Sequence, residues 1–120
     1  MKIYVAHSSS FDFRKELYTP LRASKLAKLH QLILPHEASS TPMSSKDLLK
    51  TCDLVLAEVS YPSTGEGIEL GWADMLGIPI ICLCKAGYQY SPSLKVVTQK
   101  IIEYSDSEDL IKKISLSLAE

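Results

Sequence analysis

The stretch that decides the fold is DLVLAEVSYPSTGEGIELG, residues 53–71. Residues 53–59 form a nearly continuous apolar run, which is typical of a central strand covered on both faces. A turn rich in Pro, Ser and Gly follows, and a helix is predicted from about Glu66 to Leu76, where Gly77 and Pro79 end it. A buried strand that passes through a short turn into a helix is the first half of a β-α-β unit, so this stretch predicts a parallel sheet.

The same alternation continues on both sides of this stretch. Apolar runs predict strands at 3–6, 31–34, 78–83 and 100–104. Helices are predicted over 13–32, where Pro20 starts a second segment or kinks the first, and over 45–51, 91–99 and 107–118. Strands separated by helices imply parallel pairing through right-handed crossovers. Five such units in 120 residues predict an α/β fold with one domain, residues 1–120, built on a flavodoxin-like, doubly wound, five-stranded parallel sheet.

Composition excludes several classes of protein. The chain has 13 Lys and Arg against 14 Asp and Glu, a formal net charge of −1, so there is no basic field for polymeric nucleic acid to bind. The longest apolar run, 78–83, is far shorter than a membrane span, and the N-terminus shows no signal peptide. We therefore expect a cytoplasmic protein with neither a membrane nor a nucleic acid as partner.

Cysteine and histidine give no sign of a disulfide framework or a metal site. Cys52, Cys82 and Cys84 have no disulfide-framework spacing, so they are expected to be reduced core residues. The three histidines are scattered along the chain, and Cys82 and Cys84 lie within a predicted strand without other ligands. No metal or other cofactor is expected. Trp72 is expected in the core.

The turn before the central helix is a candidate anion site. Ligands of doubly wound sheets bind beyond the carboxyl ends of the strands, which places 7–10, 58–67 and 85–93 around one rim. Gly65 and Gly67 let the backbone turn tightly and approach a ligand, Ser63 and Thr64 add hydroxyl groups, and the first N–H groups of a helix attract anions. A phosphate or a sugar oxygen suits this place, although many such turns use glycine for structural reasons alone.

Glu69 is the candidate nucleophile. It lies in the first part of the predicted helix, with Glu66 three residues earlier and broadly on the same side. Both carboxylates could simply complement the helix dipole. Alternatively, an ionised carboxylate that faces a cleft can attack an anomeric carbon and form a covalent glycosyl-enzyme.

Residues 53–60 and the motif PSTGEGIELG at 62–71 resemble the nucleoside 2-deoxyribosyltransferase family. The similarity is strongest to its 2′-deoxynucleoside 5′-phosphate N-hydrolases, whose motif has this Pro-Ser-x-Gly-x-Gly-x-Glu-Leu-Gly spacing. Tyr4 followed by Ser8 also resembles the opening of the family. The resemblance implies a flavodoxin-like fold and an enzyme that cleaves or transfers the N-glycosidic bond of 2′-deoxynucleosides or their 5′-monophosphates through a covalent glycosyl-glutamate.

The resemblance also implies the roles of individual residues. Glu69 is the nucleophile and Tyr4 lies beside it and the sugar. Backbone amides and hydroxyl groups from Ser63 through Gly65 to Gly67 hold the 5′-phosphate, with Ser8 contributing from the first loop. Ser93 reaches into the site of a neighbouring subunit, which implies a homodimer with a shared active site and a small-molecule nucleoside or nucleotide as ligand.

The chain departs from the family at two positions. The family's acid, eight residues before the aspartate that opens the third strand, is replaced by Ser45, and the nearest acid is Asp47. Either the register shifts by two residues and Asp47 is the catalytic acid, or another acid takes over, or leaving-base protonation is impaired. The family's first-loop glycine is His7, which is either a base contact and proton donor or a hydrogen-bonded structural residue.

Two alternatives follow from these departures. His36 and Glu37 could supply the missing acid–base group, or they could be a solvated loop. The whole chain could be a catalytically weak nucleotide-binding or sensing module of the same fold. A flavodoxin or receiver domain ranks last, because the first loop has neither a glycine-containing phosphate turn nor an acidic pair.

Overall fold

A five-stranded parallel sheet forms the centre of the molecule, for which a computed structural model describes residues 1–37 and 45–119. The strands are β1 (Lys2–His7), β2 (Gln31–Ile33), β3 (Leu54–Glu58), β4 (Ile80–Lys85) and β5 (Ile101–Tyr104). Their order in the sheet is β2-β1-β3-β4-β5, and every pairing is parallel. The order reverses direction between β1 and β3, so the predicted doubly wound sheet is confirmed.

The described residues contain five α-helices, of which four lie between strands and the fifth follows β5. They are α1 (Thr19–Ala23), α2 (Leu26–Leu29), α3 (Ser45–Leu49), α4 (Thr64–Met75) and α5 (Ser107–Leu118). A π-helical turn at Arg14–Tyr18 precedes α1, and a 3₁₀ turn at Pro92–Val96 replaces the longer helix predicted over 91–99.

The helix predicted over 13–32 is wrong in its continuity. Pro20 lies in the first turn of α1, where a missing N–H group costs nothing, so it begins a second helical segment, one of the two predicted alternatives, and does not kink the first. The break comes at Ser24, whose backbone is extended and whose hydroxyl donates to the Leu21 carbonyl at 2.7 Å. A side chain that hydrogen-bonds to a nearby backbone group competes with helix continuation.

The two faces of the sheet carry different helices. Ile3 and Val5 face a layer that includes α1 and α5, whereas Tyr4 and Ala6 face a layer that includes α3 and α4. The three cysteines are free, buried and packed in this second layer, as predicted. The second layer therefore places the first turn of α4 directly over the carboxyl ends of β1 and β3.

Residues 1–37 and 45–119 contain neither a membrane-spanning helix nor a cluster of metal ligands. None of the helices there is both long enough and apolar enough to cross a membrane. In the same residues, no three His, Cys, Asp or Glu side chains are grouped so that they could hold a metal ion.

Candidate active site

A cavity of about 350 Å³ opens where the sheet order reverses, beside the last residues of β1 and the first turn of α4. We call it the Glu69 cavity. It is lined by Tyr4, His7, Ser9, Pro35, His36, Ser45, Leu48, Ser63, Gly65, Glu66, Ile68, Glu69 and Trp72. Five of the predicted site residues are among them: Tyr4, His7, Ser63, Gly65 and Glu69.

Tyr4 and Glu69 form the central pair of the cavity. Tyr4 is buried in the middle of β1, and its hydroxyl donates a short hydrogen bond to Glu69 Oε2 on α4. Burial, and then the adjacent Glu69 carboxylate, raise the pKa of Tyr4 well above its usual range. The hydroxyl therefore keeps its proton and fixes the orientation of a carboxylate that lines the cavity.

The first turn of α4 provides donors at one end of the cavity. Ser63 is the N-cap residue, and its Oγ accepts a hydrogen bond from the Glu66 backbone N–H at 3.3 Å. The first N–H groups of a helix have no partners within the helix, and its dipole attracts negative charge. This end of the cavity therefore suits an anion.

Of the two reasons predicted for glycine in the motif, a tight turn and close approach of a ligand, the structure removes the first. Gly65 and Gly67 lie within α4 without a positive φ, and a Cβ atom added to either would meet no heavy atom within 4 Å. A tight turn is therefore not the reason for glycine here. Gly65 leaves open space on the cavity wall, where a ligand can approach the backbone.

Glu66 does not share the environment of Glu69. It points inward on the face of α4 that carries Leu70 and Ala73, and it is only 5% exposed. Burial, followed by the charges of Glu58 and Glu69, raises the pKa of Glu66 to about 9. Within the described part of the chain, its Oε2 atom has no hydrogen-bond partner.

His7 is held by two hydrogen bonds inside the protein. Its Nδ1 lies 2.7 Å from the Ser8 carbonyl oxygen, and its Nε2 lies 2.7 Å from the Tyr18 hydroxyl. The Tyr18 oxygen accepts the backbone N–H of His36 at 3.0 Å, so we assign the Tyr18 proton to His7 Nε2 and the ring proton to Nδ1. Burial lowers the pKa of His7. The ring is thus a neutral wall of the cavity, which favours the structural interpretation over a proton donor.

The first loop presents Ser9 to the cavity rather than Ser8. Ser8 is buried, and its Oγ lies 2.7 Å from Ser10 Oγ and accepts the Ser10 N–H at 3.1 Å. Ser9 lines the Glu69 cavity. Adjacent residues leaving a strand point in opposite directions, and the sequence alone did not indicate which serine faces inward.

Asp47 lies outside the Glu69 cavity, whereas Ser45 lines it. The Asp47 side chain is 87% exposed, with its Oδ1 atom 3.4 Å from Lys50 Nζ. The structure therefore does not support a register shift that would bring Asp47 into the site. A serine stands on the cavity wall where the family's acid was expected.

His36 and Glu37 do not act as a pair. His36 lines the cavity, with its ring centre 5.5 Å from that of His7. Glu37 is exposed and makes two hydrogen bonds to Arg22, at 2.6 and 2.7 Å. Arg22 lowers the pKa of Glu37. Glu37 is therefore a surface ion-pair partner, and only His36 remains at the site.

Ser93 and Gly67 line a second cavity of about 520 Å³, between the first turns of α4 and the 3₁₀ turn. We call it the Ser93 cavity. Ser63 and Glu66 line both cavities, so the two are neighbours. Ser93 does not contact the Glu69 cavity of its own chain.

Comparison with curated proteins gives four significant sequence matches, of which two illustrate the range. A protein of Thermofilum pendens, provisionally named 2′-deoxynucleoside 5′-phosphate N-hydrolase 1, is 34% identical over 76 residues, which are 59% of this chain and 53% of the relative. The 5-hydroxymethyl-dUMP N-hydrolase of Mus musculus is 57% identical over 35 residues, 29% of this chain and 20% of the relative. The chain thus spans about half, or less, of the length of the curated relatives it matches. No protein-family model matches it.

Solved structures share the fold over nearly the whole chain. The CMP N-glycosidase BcmB of Clostridium botulinum superposes with a TM-score of 0.69 at 23% identity, covering 96% of this chain and 99% of that one. A conserved protein of Enterococcus faecalis V583 gives a TM-score of 0.69 at 19% identity, covering 98% of each chain. Together with the sequence matches, these similarities confirm the resemblance to the nucleoside 2-deoxyribosyltransferase family, and to its 2′-deoxynucleoside 5′-phosphate N-hydrolases, that the motif at 62–71 indicates.

Proposed function

We propose that the chain is an enzyme that cleaves the N-glycosidic bond of 2′-deoxynucleoside 5′-monophosphates. The observation that carries this proposal is the Tyr4–Glu69 pair, because it holds a carboxylate on the wall of a cavity next to an anion-attracting helix end. The named activities of the relatives, N-hydrolase and N-glycosidase, support it.

The two ends of the Glu69 cavity suit the two ends of such a substrate. The phosphate lies at the first turn of α4, against Ser63 and Gly65. The base lies towards the other end, where Pro35, His36 and Trp72 provide apolar and aromatic surface. The sugar then bridges the two ends, with its anomeric carbon near Glu69.

The reaction proceeds by double displacement at Glu69. Its carboxylate attacks the anomeric carbon, the glycosidic bond breaks, and the base departs with the bonding electron pair and takes up a proton. Water then attacks the anomeric carbon of the glycosyl-glutamate, loses a proton, and releases 2-deoxyribose 5-phosphate and the free carboxylate. A second base in place of water gives transfer instead of hydrolysis.

A binding or sensing function is the second candidate, and Ser45 favours it. A positioned general acid typically contributes about 10²- to 10⁴-fold to rate, and a serine stands on the cavity wall at the position expected for that acid. The same cavity would then bind deoxynucleotides without turnover.

We also propose that the chain forms a homodimer in which Ser93 completes the site of the partner. The outer face of α4 exposes a row of apolar side chains at helical spacing, Ile68, Met75 and Leu76, and the 3₁₀ turn exposes Val96. An exposed apolar cluster beside a site is typical of an interface.

The test is incubation with deoxynucleosides and their 5′-monophosphates, with and without an acceptor base, followed by chromatography of the free base. We expect base release from a monophosphate by the wild type and a loss of at least about a thousandfold in Glu69→Gln, because the nucleophile is removed. Asp74→Asn is the matched control, because Asp74 is an exposed acid on the same helix outside the cavity. Equal release by wild type and Glu69→Gln contradicts the enzymatic proposal, and saturable binding without release supports the sensing function.

A further inference from the structure

Glu66 is a buried carboxyl group on the wall shared by the two cavities. It lies on the first turn of α4, three residues after the N-cap Ser63, and it lines both the Glu69 and the Ser93 cavities. The residue is 95% buried, from an exposed fraction of 5%, and within the described residues its Oε2 atom has no hydrogen-bond partner. A buried polar atom without a partner requires an explanation.

Glu58 shows how a buried carboxyl group is surrounded by hydrogen-bond donors elsewhere in this protein. It is 1% exposed and accepts three hydrogen bonds, from the Ser60 backbone N–H at 2.6 Å, from the Ser60 hydroxyl at 2.9 Å and from the Tyr104 hydroxyl. No comparable set of donors surrounds Glu66 among the described residues. A carboxyl group in that situation is more stable as the neutral acid.

The charges near Glu66 act in the same direction. Glu58 at the end of β3 and Glu69 on α4 both raise its pKa, which reaches about 9. The Cys82 thiol of β4 faces it, and Tyr61 lines the Ser93 cavity beside it. None of these groups is a cation, so the neutral form of Glu66 persists near pH 7.

A neutral carboxylic acid differs from a carboxylate because it has one O–H group to donate. The Glu69 cavity needs such a donor, because the residues that line it in the described structure include neither Lys nor Arg. Ser63 Oγ already accepts the Glu66 N–H, so its proton is free to be donated to a ligand. The donors at this end are therefore uncharged, and an acceptor-rich anion is the ligand that they fit.

We propose that rotation of the Glu66 side chain brings Oε2 from the interior to the wall of the Glu69 cavity, where the protonated carboxylic acid donates a hydrogen bond to the 5′-phosphate of the substrate bound at the first turn of α4. This inference rests on the proposed function for the identity of the ligand. It makes Glu66 a residue that selects phosphorylated over unphosphorylated substrates. It also makes phosphate recognition dependent on pH, because the ionised carboxylate would repel the phosphate dianion.

The experiment measures binding, so it does not depend on turnover. Titrations of 2′-deoxyuridine 5′-monophosphate and of 2′-deoxyuridine are followed calorimetrically or by NMR in a Glu69→Gln background. Glu66→Gln retains an uncharged donor, and Glu66→Leu removes the donor. We expect Glu66→Leu to weaken binding of the monophosphate by about tenfold or more without affecting the nucleoside, and Glu66→Gln to stay within about threefold for both.

A second readout is the pH dependence of monophosphate binding. Burial and the charge of Glu58 still raise the pKa of Glu66 in the Glu69→Gln background. Affinity in the chain with Glu66 intact therefore falls as the carboxyl group ionises at higher pH, whereas affinity in Glu66→Gln stays level. Two results overturn the inference: unchanged monophosphate binding in Glu66→Leu, or equal loss for monophosphate and nucleoside, which indicates a structural effect. Absence of any phosphate-dependent gain in affinity overturns it as well. The proposed activity is tested separately. It is contradicted if phosphate binding depends on Glu66 but the chain with Glu69 intact releases no base.

Discussion

Glu58 and Glu66 are two buried glutamates whose carboxyl groups meet different surroundings. Glu58 accepts hydrogen bonds from Ser60 and Tyr104, whereas Glu66 Oε2 has no partner within the described residues. Burial raises the pKa of both acids, but the hydrogen bonds from Tyr104 and Ser60 oppose that rise at Glu58, whereas the charges of Glu58 and Glu69 add to it at Glu66. The difference has a consequence for stability as well as for ligand binding.

Glu66 makes the free energy of unfolding depend on pH. Its pKa is raised from an ordinary 4.5 to about 9 on folding, so between these values the folded protein holds one proton more than the unfolded chain. The stabilisation from that proton is fully present below about pH 4.5 and is lost progressively as pH rises to about 9, by up to about 1.4 kcal/mol per pH unit. We expect Glu66→Gln to remove this slope.

Urea denaturation at several pH values between about 5.5 and 8.5 measures the effect. The free energy of unfolding of Glu66→Gln relative to wild type should increase steadily with pH. Glu108→Gln, at an exposed position of α5, is the matched control and should show no such increase. A constant difference between Glu66→Gln and wild type would show that Glu66 is ionised in the folded protein.

Position 45 shows why the sequence alone does not tell which of two nearby residues faces a cavity. Ser45 and Asp47 are two residues apart, and such residues face different sides of a helix. Only the placement of α3 against α4 and β1 decides which one meets the cavity, and that placement depends on residues distant in sequence. Glu69 was easier to predict because of its place in the motif, and Tyr4 because of the resemblance to the family, and the structure joins the two by a hydrogen bond.

At the scale of elements, α4 supports both the fold and the site. Its N-cap Ser63 accepts the Glu66 N–H and also lines the Glu69 cavity. The cap of α5, where Asp106 accepts the Asp109 N–H at 2.8 Å, has only the structural role. The two caps therefore form a natural comparison.

We expect Ser63→Ala and Asp106→Ala to lower the free energy of unfolding by similar amounts, about 1 kcal/mol each. Only Ser63→Ala should also weaken binding of a deoxynucleoside monophosphate, because the Ser63 hydroxyl belongs to the proposed phosphate site. Chemical denaturation and ligand titration of both variants measure the two effects. Equal ligand affinity in the two variants would show that Ser63 acts as a cap alone.

Element boundaries were predicted best where the local signal is strong. The bounds of α5, predicted and observed at residues 107–118, and the strands flanked by glycine or proline follow from neighbouring residues. The helix bounds within 13–32 were not predicted as well. The π-helical turn and the break at Ser24 allow Leu17 and Leu21 to pack against the sheet. Periodicity alone does not carry that information.

At the scale of the whole molecule, the apolar row on α4 predicts association. We expect the wild type to sediment as a dimer and Met75→Glu to sediment as a monomer, because Met75 is 87% exposed in the single chain and lies outside both cavities. Leu29→Glu, an equally drastic change on α2, is the control and should remain a dimer. Sedimentation velocity decides the question, and a monomeric wild type would contradict the shared site.

Trp72 was predicted to be a core residue, yet it is partly buried and forms part of the wall of the Glu69 cavity. It is also the single tryptophan of the chain. Its indole emission therefore comes from one place, the surface against which a base would rest. The protein carries its own optical probe: occupancy of the cavity can be followed by fluorescence quenching, without a label and in any of the variants described above.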